Sequence, residues 1–266
     1  METELLSPMT QDPFTHLIIG KAMETHSALG PGLVEEFYQR DLVARLSAAG
    51  IEHQSKPRHA LMYRGFVADT FEPDLIFPGK LVPELKALRG EFAPSHFTQL
   101  LAYQKCWAIR TGMLLDFGKA SLVQKRVVYD QVHADFPITP VPPGLAHADL
   151  AARLVGLIRQ TYLDIGLGYR EATWQGLVGA AMQADGVPHI VSPSANIAHL
   201  GPANLRCILV DQRCALSITA LGDGVSAADR AILHSCLGWL DLPWGIAAHF
   251  GRRCVEVRII QKKNHR

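Results

Sequence analysis

The sequence lacks an excess of charge of either sign. Its 26 Lys and Arg residues face 25 Asp and Glu residues, a formal net charge of +1. That balance argues against a protein that coats nucleic acid by bulk charge, so any nucleic-acid role must rest on a local site. Paired cysteines are also missing. Five stand at Cys106, Cys207, Cys214, Cys236 and Cys254, an odd number with no CxxC. This argues against a disulfide framework or a zinc ribbon and predicts a reducing, cytoplasmic setting. No uninterrupted apolar run reaches the ~18–20 residues of a membrane span, so no membrane partner is expected. Met1-Glu2-Thr3-Glu4 is acidic and predicts no signal peptide.

What is present is a chain of 266 residues, 48% hydrophobic and 19% charged. It is long enough for two domains and a full core. Asp12-Pro13 is a helix start, and apolar residues at Leu17, Ile18, Ala22 and Leu29 carry the helix to a stop at Gly30. A second helix runs from about Leu33 to Ala49, ended by Gly50. Glu52 to Leu88 breaks into short extended runs that predict antiparallel strands. A third helix is expected from Ser95 to about Arg110, then strands at Met113–Phe117 and Val123–Tyr129. The expected order is ααβββαββ. Pro137, Pro140, Pro142, Pro143 and Gly144 mark a linker over 131–148.

The segment after the linker repeats the one before it. At an offset of 136, Gly30-Pro31-Gly32 meets Gly166-Leu167-Gly168, Glu35 meets Glu171, Tyr38 meets Trp174 and Gly65 meets Gly201. Beyond one three-residue deletion the offset is 133, where Ala87-Leu88 meets Ala220-Leu221 and Phe117-Gly118 meets Phe250-Gly251. Ordered agreement across a whole domain predicts a duplicated fold. The two copies are expected over 1–130 and 149–266, packed as an internal pseudo-dimer in a monomer, or else as a weak homo-oligomer.

The chemistry concentrates in Pro73-Asp74 through Glu84-Leu85-Lys86. Phe77-Pro78-Gly79-Lys80 is a turn signal, so Asp74 and Glu84 are expected to oppose each other across a hairpin. Two bare carboxylates so placed repel, and a divalent cation between them reverses the penalty. Lys86, two residues past Glu84, shares its strand face. A lone ExK is usually a solvated surface pair. Here two helix motifs accompany it: Gly32-x-x-Glu35-x-x-Tyr38, with Glu35 and Tyr38 on one face, and Gln99-x-x-x-Tyr103 on another helix.

Together these residues resemble the GxxExxY family of the PD-(D/E)XK nuclease-like superfamily, over about residues 13–130. The resemblance implies an α/β (α+β) fold with two nuclease-like domains, each a mixed central sheet flanked by helices. It implies Asp74 and Glu84 as ligands of Mg²⁺, with Mn²⁺ as a substitute, and Lys86 as the catalytic lysine. Glu35 would be an accessory acid, and Gln99, Tyr103 and Tyr38 would support the site. The implied activity is a metal-dependent phosphodiesterase, a hydrolase, acting on nucleic acid, with DNA favoured over RNA. The alternative is a catalytically inactive nuclease-fold binding or assembly protein.

The second copy has lost the set. Asp74 aligns with Cys207, Glu84 with Ser217 and Lys86 with Thr219, while Gln99 meets Ile232 and Tyr103 meets Cys236. Only the Gly-x-x-Glu element survives, as Gly168 and Glu171, which points to a helix-start role for that acid. Copy two therefore reads as a degenerate partner. His96 shares the helix of Gln99 and is expected near the site. His249 aligns with Asp116, and neither takes a role. The basic tail Lys262–Arg266 reads as a solvated end.

Overall fold

The structure, a computed structural model, describes residues 12–129, 135–136, 139–251 and 253–262. The N-terminal Met1-Glu2-Thr3-Glu4, linker residues 131–134, 137 and 138, and the tail 263–266 lie outside the described residues.

In the first half the elements are α1 (Pro13–Leu29), α2 (Glu35–Ala48), β1 (Gln54–Ser55), β2 (His59–Tyr63), β3 (Phe66–Phe71), β4 (Leu75–Ile76), β5 (Val82–Lys86), α3 (Pro94–Cys106), β6 (Thr111–Asp116) and β7 (Val123–Val128). The start of α1 follows its sequence signal. The Asp12 carboxylate accepts from the backbone N–H groups of Phe14 and Thr15, and Pro13 occupies the first turn. Five strands, rather than three, lie between α2 and α3.

The second half contains α4 (Ala148–Ile165), α5 (Glu171–Ala184), β8 (His189–Val191), β9 (Ser194–Asn196), β10 (Pro202–Asn204), β11 (Ile208–Val210), β12 (Cys214–Ala220), α6 (Ala227–Trp239), β13 (Trp244–Phe250) and β14 (Val255–Gln261). Mixed sheets and six α-helices among the described residues make this an α/β fold.

The chain packs as two units. Among the described residues, 12–58 join Glu72–Tyr129, while His59–Phe71 join those after Tyr129. In the first unit, β5 pairs parallel with β6, which pairs antiparallel with β7. The separate strands β1 and β4 pair antiparallel. Ile18, Ala22, Tyr38, Leu42, Leu46, Phe77, Leu85, Met113 and Phe117 meet in one apolar core, each almost fully buried. Burial of each large side chain is worth about 1.5–3 kcal/mol, and this core holds β5 rigidly beneath α1 and α2.

In the second unit the sheet order is β14-β13-β12-β11-β8, with β12 parallel to β13 and the other pairs antiparallel. The β2–β3 hairpin lies on α5 of this unit. An ideal Cβ on Gly176 would fall 1.8 Å from the Ala68 carbonyl oxygen, so only glycine permits the approach. The Asp69 carboxylate accepts from the Thr173 hydroxyl and the Arg170 guanidinium. Tyr63 donates to Asp164 at 2.7 Å, and Arg64 pairs with Asp185 at 2.8 Å. Residues that are local in sequence to the first half thus pack on α5 of the second unit.

Candidate active site

The site is built on β5. All five of its residues are buried, and they include a carboxylate and an ammonium: Glu84 is 3% exposed and Lys86 8%. A solvated surface pair is thereby ruled out. A buried charge is costly unless paired, and here the pairing is direct. Lys86 Nζ donates to Glu84 Oε1 at 2.8 Å.

Asp74 and Glu84 do come together, but not as opposed residues of an antiparallel ladder. Phe77 and Leu81 form a single bridge around the Pro78-Gly79 turn, and the two arms then separate. β4 leaves to pair with β1, and β5 leaves to pair with β6. Carboxylates fill the gap. Asp74 Oδ2 accepts from the Leu85 N–H at 2.8 Å, and Glu84 Oε2 lies 3.4 Å from the Asp74 N–H. Each acid is thus fixed by the backbone that carries the other.

Glu35 reaches the same place from the first turn of α2. Its Oε2 stands 3.8 Å from Lys86 Nζ, and its Oε1 lies 3.4 Å from the Ala87 N–H. Tyr38 does not reach the acids. Its hydroxyl donates to the Gly30 carbonyl at 2.7 Å and accepts from the Leu33 N–H at 3.1 Å, and its ring stacks on Phe117. Tyr38 therefore pins the Gly30–Leu33 loop, which sets where α2 begins and so where Glu35 stands. Gln99 donates to the Tyr103 hydroxyl at 2.9 Å, and that hydroxyl donates to the Glu72 carbonyl at 3.3 Å. The α3 pair thereby braces the chain two residues before Asp74.

Two further residues hold the site. Asp116, 1% exposed, accepts from the N–H groups of Leu88 and Gly118 at 2.9 Å each. It ties the end of β5 to the end of β6. An ideal Cβ on Gly118 would lie 2.3 Å from the Leu88 carbonyl oxygen, so this crossing needs glycine. The sequence pattern passed over Asp116 because a single Asp within an apolar strand carries no motif. His96 Nδ1 accepts from the Ala93 N–H at 3.1 Å, so the neutral ring carries its proton on Nε2. The ring feels the charges of Lys86, Glu35 and Asp116, which puts it beside the site.

The electrostatics follow from burial. Glu84 is pushed up to about 7, first by burial and then by the neighbouring Asp74 carboxylate. Asp74 is raised too, again chiefly by burial. Burial alone pulls Lys86 down, but the Glu84, Glu35 and Asp74 carboxylates together outweigh it and hold the ammonium above its ordinary value. Two acids that resist ionising side by side form a donor set short of positive charge. Hard carboxylate oxygens suit Mg²⁺, which keeps several waters and needs only one or two carboxylates. Among the described residues no group of three His, Cys, Asp or Glu side chains could hold a metal ion, so a cation here would rest on Asp74 and Glu84 alone. The donor set fits that economical mode.

Comparison with known proteins bears on this domain. The family model described as PD-(D/E)XK nuclease superfamily matches residues 12–127. A PD-(D/E)XK nuclease superfamily domain therefore occupies that part of the chain. The nuclease domain so defined contains Glu35, Asp74, Glu84, Lys86, Gln99 and Tyr103. No curated protein matches the chain. A solved structure titled "Crystal structure of SSO0001" is similar at 13% identity over 44% of this chain and 79% of that one, with a TM-score of 0.24. At that score the likeness says nothing about this fold. Among the described residues no helix is long and apolar enough to cross a membrane.

Proposed function

We propose that the nuclease domain is a Mg²⁺-dependent phosphodiesterase of the GxxExxY type, acting on nucleic acid, with DNA ahead of RNA. The observation that carries this reading is the Asp74–Glu84–Lys86 set, half-buried at Asp74 and buried at Glu84 and Lys86, in which two acids crowd one site and an ammonium is locked against one of them. Asp74 and Glu84 would hold the cation, which supplies charge compensation and Lewis-acid polarisation of the phosphoryl group.

The chain's own groups supply the rest. Lys86, kept protonated, is a fixed positive charge aimed at the acids. It steadies negative charge that develops on the phosphoryl oxygens. Glu35, 45% exposed at its side chain, is the acid open to solvent. It orients the attacking water and accepts its proton. His96, with its proton on Nε2, donates to a phosphate oxygen. Gln99, Tyr103, Tyr38 and Asp116 position the loops that carry these groups.

We further propose that the chain is a tandem duplication. Each half has two helices, then five strands, a helix and two strands. In each half the last strand before the third helix is parallel to the first strand after it, and that strand is antiparallel to the last. Lys86 pairs in register with Asp116, and Thr219 with His249, both pairs at the same offset of 133. Gly30 and Gly166 end their helices with near-identical φ of 65° and 71°. The second half holds Cys207, Ser217 and Thr219 where the acids and lysine would be, so one site per chain is expected.

The experiment is cleavage of single- and double-stranded DNA and RNA with Mg²⁺ or Mn²⁺, comparing wild type with Glu84→Ala and Lys86→Ala. Cleavage that falls at least ~100-fold in both variants supports the reading, since each removes more than about 2.7 kcal/mol of barrier lowering. Equal rates in wild type and variants overturn it. Binding without turnover would favour the inactive, nucleic-acid-binding alternative.

A further inference from the structure

The second unit has lost the acids but kept a cavity. A hollow of about 720 Å³ is lined by Glu171, Thr219, Asp223, His249, Glu256 and Arg258, among others. By the internal repeat, Glu171, Thr219 and His249 stand where the first unit has Glu35, Lys86 and Asp116. The position is the same, and the chemistry is new.

Its centre is His249, only 2% exposed. Nδ1 lies 2.8 Å from the Thr219 hydroxyl, while Nε2 is buried with no hydrogen-bond partner among the described residues. Buried polar nitrogens are almost always satisfied, so an orphan one that borders a cavity asks for a ligand. When Nδ1–H donates to Thr219, Nε2 presents a lone pair. Gly222 covers the edge of this ring. A Cβ there would lie 3.2 Å from Cε1 and 3.7 Å from Nε2. The cover is a loop without regular structure between β12 and α6, with Leu221 at φ 73° and Gly224 at φ 149°. A ligand in the hollow reaches Nε2 only if that loop moves outward.

The charge of the lining selects the ligand. Among the described lining residues, Glu171, Asp223, Asp229 and Glu256 outnumber the one guanidinium, Arg258, and Glu256 already holds Arg258. Such a wall repels phosphate and nucleic-acid backbone. It also offers no group of three side chains for a metal ion among the described residues. A cation that brings its own N–H donors meets both conditions.

We propose that this cavity binds a small aliphatic amine, its ammonium donating to His249 Nε2 and facing the Glu171 and Asp223 carboxylates. The cavity would make the second unit a ligand-binding partner of the nuclease domain rather than an inert remnant. The claim stands apart from the phosphodiesterase reading, because its test does not measure cleavage.

The test uses the full chain labelled with ¹⁵N-histidine and 1,4-diaminobutane as the probe. Saturable movement of the His249 Nε2 resonance is expected, with a Kd on the order of 1 mM. Glu171→Gln, at a partly exposed helix start, should weaken binding at least threefold while the circular dichroism spectrum stays that of the folded chain. His249→Gln should weaken binding of the same amine at least tenfold when read by calorimetry, and circular dichroism checks that it folds. Tetramethylammonium, a cation without N–H donors, should not bind. The proposal is overturned if His249 shows no saturable change, if tetramethylammonium binds equally well, if inorganic phosphate binds instead, or if Glu171→Gln binds like wild type.

Discussion

Replacing Glu84 by Gln should change how the nuclease domain's stability depends on pH. In the folded metal-free protein the Glu84 carboxyl is raised from 4.5 to about 7, mainly because it is buried and next because Asp74 is close. A raised acid favours the fold in its protonated form. Its contribution is complete below the unfolded value near 4.5 and is lost as pH rises through 7. At about 1.36 kcal/mol per pH unit, the loss is about 3 kcal/mol between pH 4.5 and pH 8. Asp74 titrates with Glu84, so this loss belongs to the pair as much as to one residue. In Glu84→Gln the amide keeps an acceptor for Lys86 Nζ and has no proton to lose. The variant should therefore gain on wild type by about 3 kcal/mol across that range, whatever constant offset the substitution brings. Urea unfolding in chelator reads this, with hydrogen exchange of the Val82–Lys86 segment reporting the first unit separately. Parallel pH curves for the two proteins would refute the idea that burial has raised this carboxyl.

Other outcomes follow from the same geometry. Mg²⁺ binding should release about one proton per site at pH 6 and almost none above pH 8, because Glu84 must ionise to bind. Calorimetry in buffers of different ionisation enthalpy measures this, and a release that does not vary with pH would contradict it. Tyr38→Phe removes the hydroxyl that bridges Gly30 and Leu33. It should cost about 1–2 kcal/mol of stability in a urea melt and lower cleavage by shifting Glu35. Gly176→Ala puts a Cβ 1.8 Å from the Ala68 oxygen. It should destabilise the second unit by about 1–3 kcal/mol, with faster protease cleavage within residues 59–71; unchanged protease resistance would show that the hairpin does not depend on this contact.

The helices were readable because their signals are local. Asp12-Pro13 and Gly30 bracket α1, and the observed helix ends there. Gly50 follows α2, and α3 begins one residue before its expected start. The middle strands were harder, because their pairing is decided elsewhere. Nothing between Pro73 and Lys86 says that β5 will run parallel to β6, since that partner arrives only after α3. The Pro78-Gly79 turn correctly brought Asp74 near Glu84. It could not reveal that the arms part after one bridge and that side-chain carboxylates take over the backbone donors. Nor could it reveal that 59–71 belong to the second unit. The glycine that admits that hairpin, Gly176, lies over a hundred residues away and carries no signal of its own.

Within the site, the sequence motifs located Glu35, Asp74, Glu84 and Lys86 but not their environment, and they missed Asp116. An ExK pattern does not distinguish a solvated pair from a buried one. The five buried residues of β5 make that distinction, and with it come the raised acids and the locked lysine. Tyr38 was grouped with the site by its spacing to Glu35. Its hydroxyl instead serves the backbone, which is how a residue on the same helix can matter without touching the chemistry.

Asp74 and Glu84 are proposed to form a single cation site. A crystal structure of the whole chain grown with Mn²⁺, with anomalous scattering recorded, reads that site directly. One peak per chain is expected, bounded by the Asp74 and Glu84 carboxylates, absent in Glu84→Ala, and none beside Cys207, Ser217 and Thr219. A peak that survives Glu84→Ala, or no peak between the two acids at saturating Mn²⁺, would contradict it.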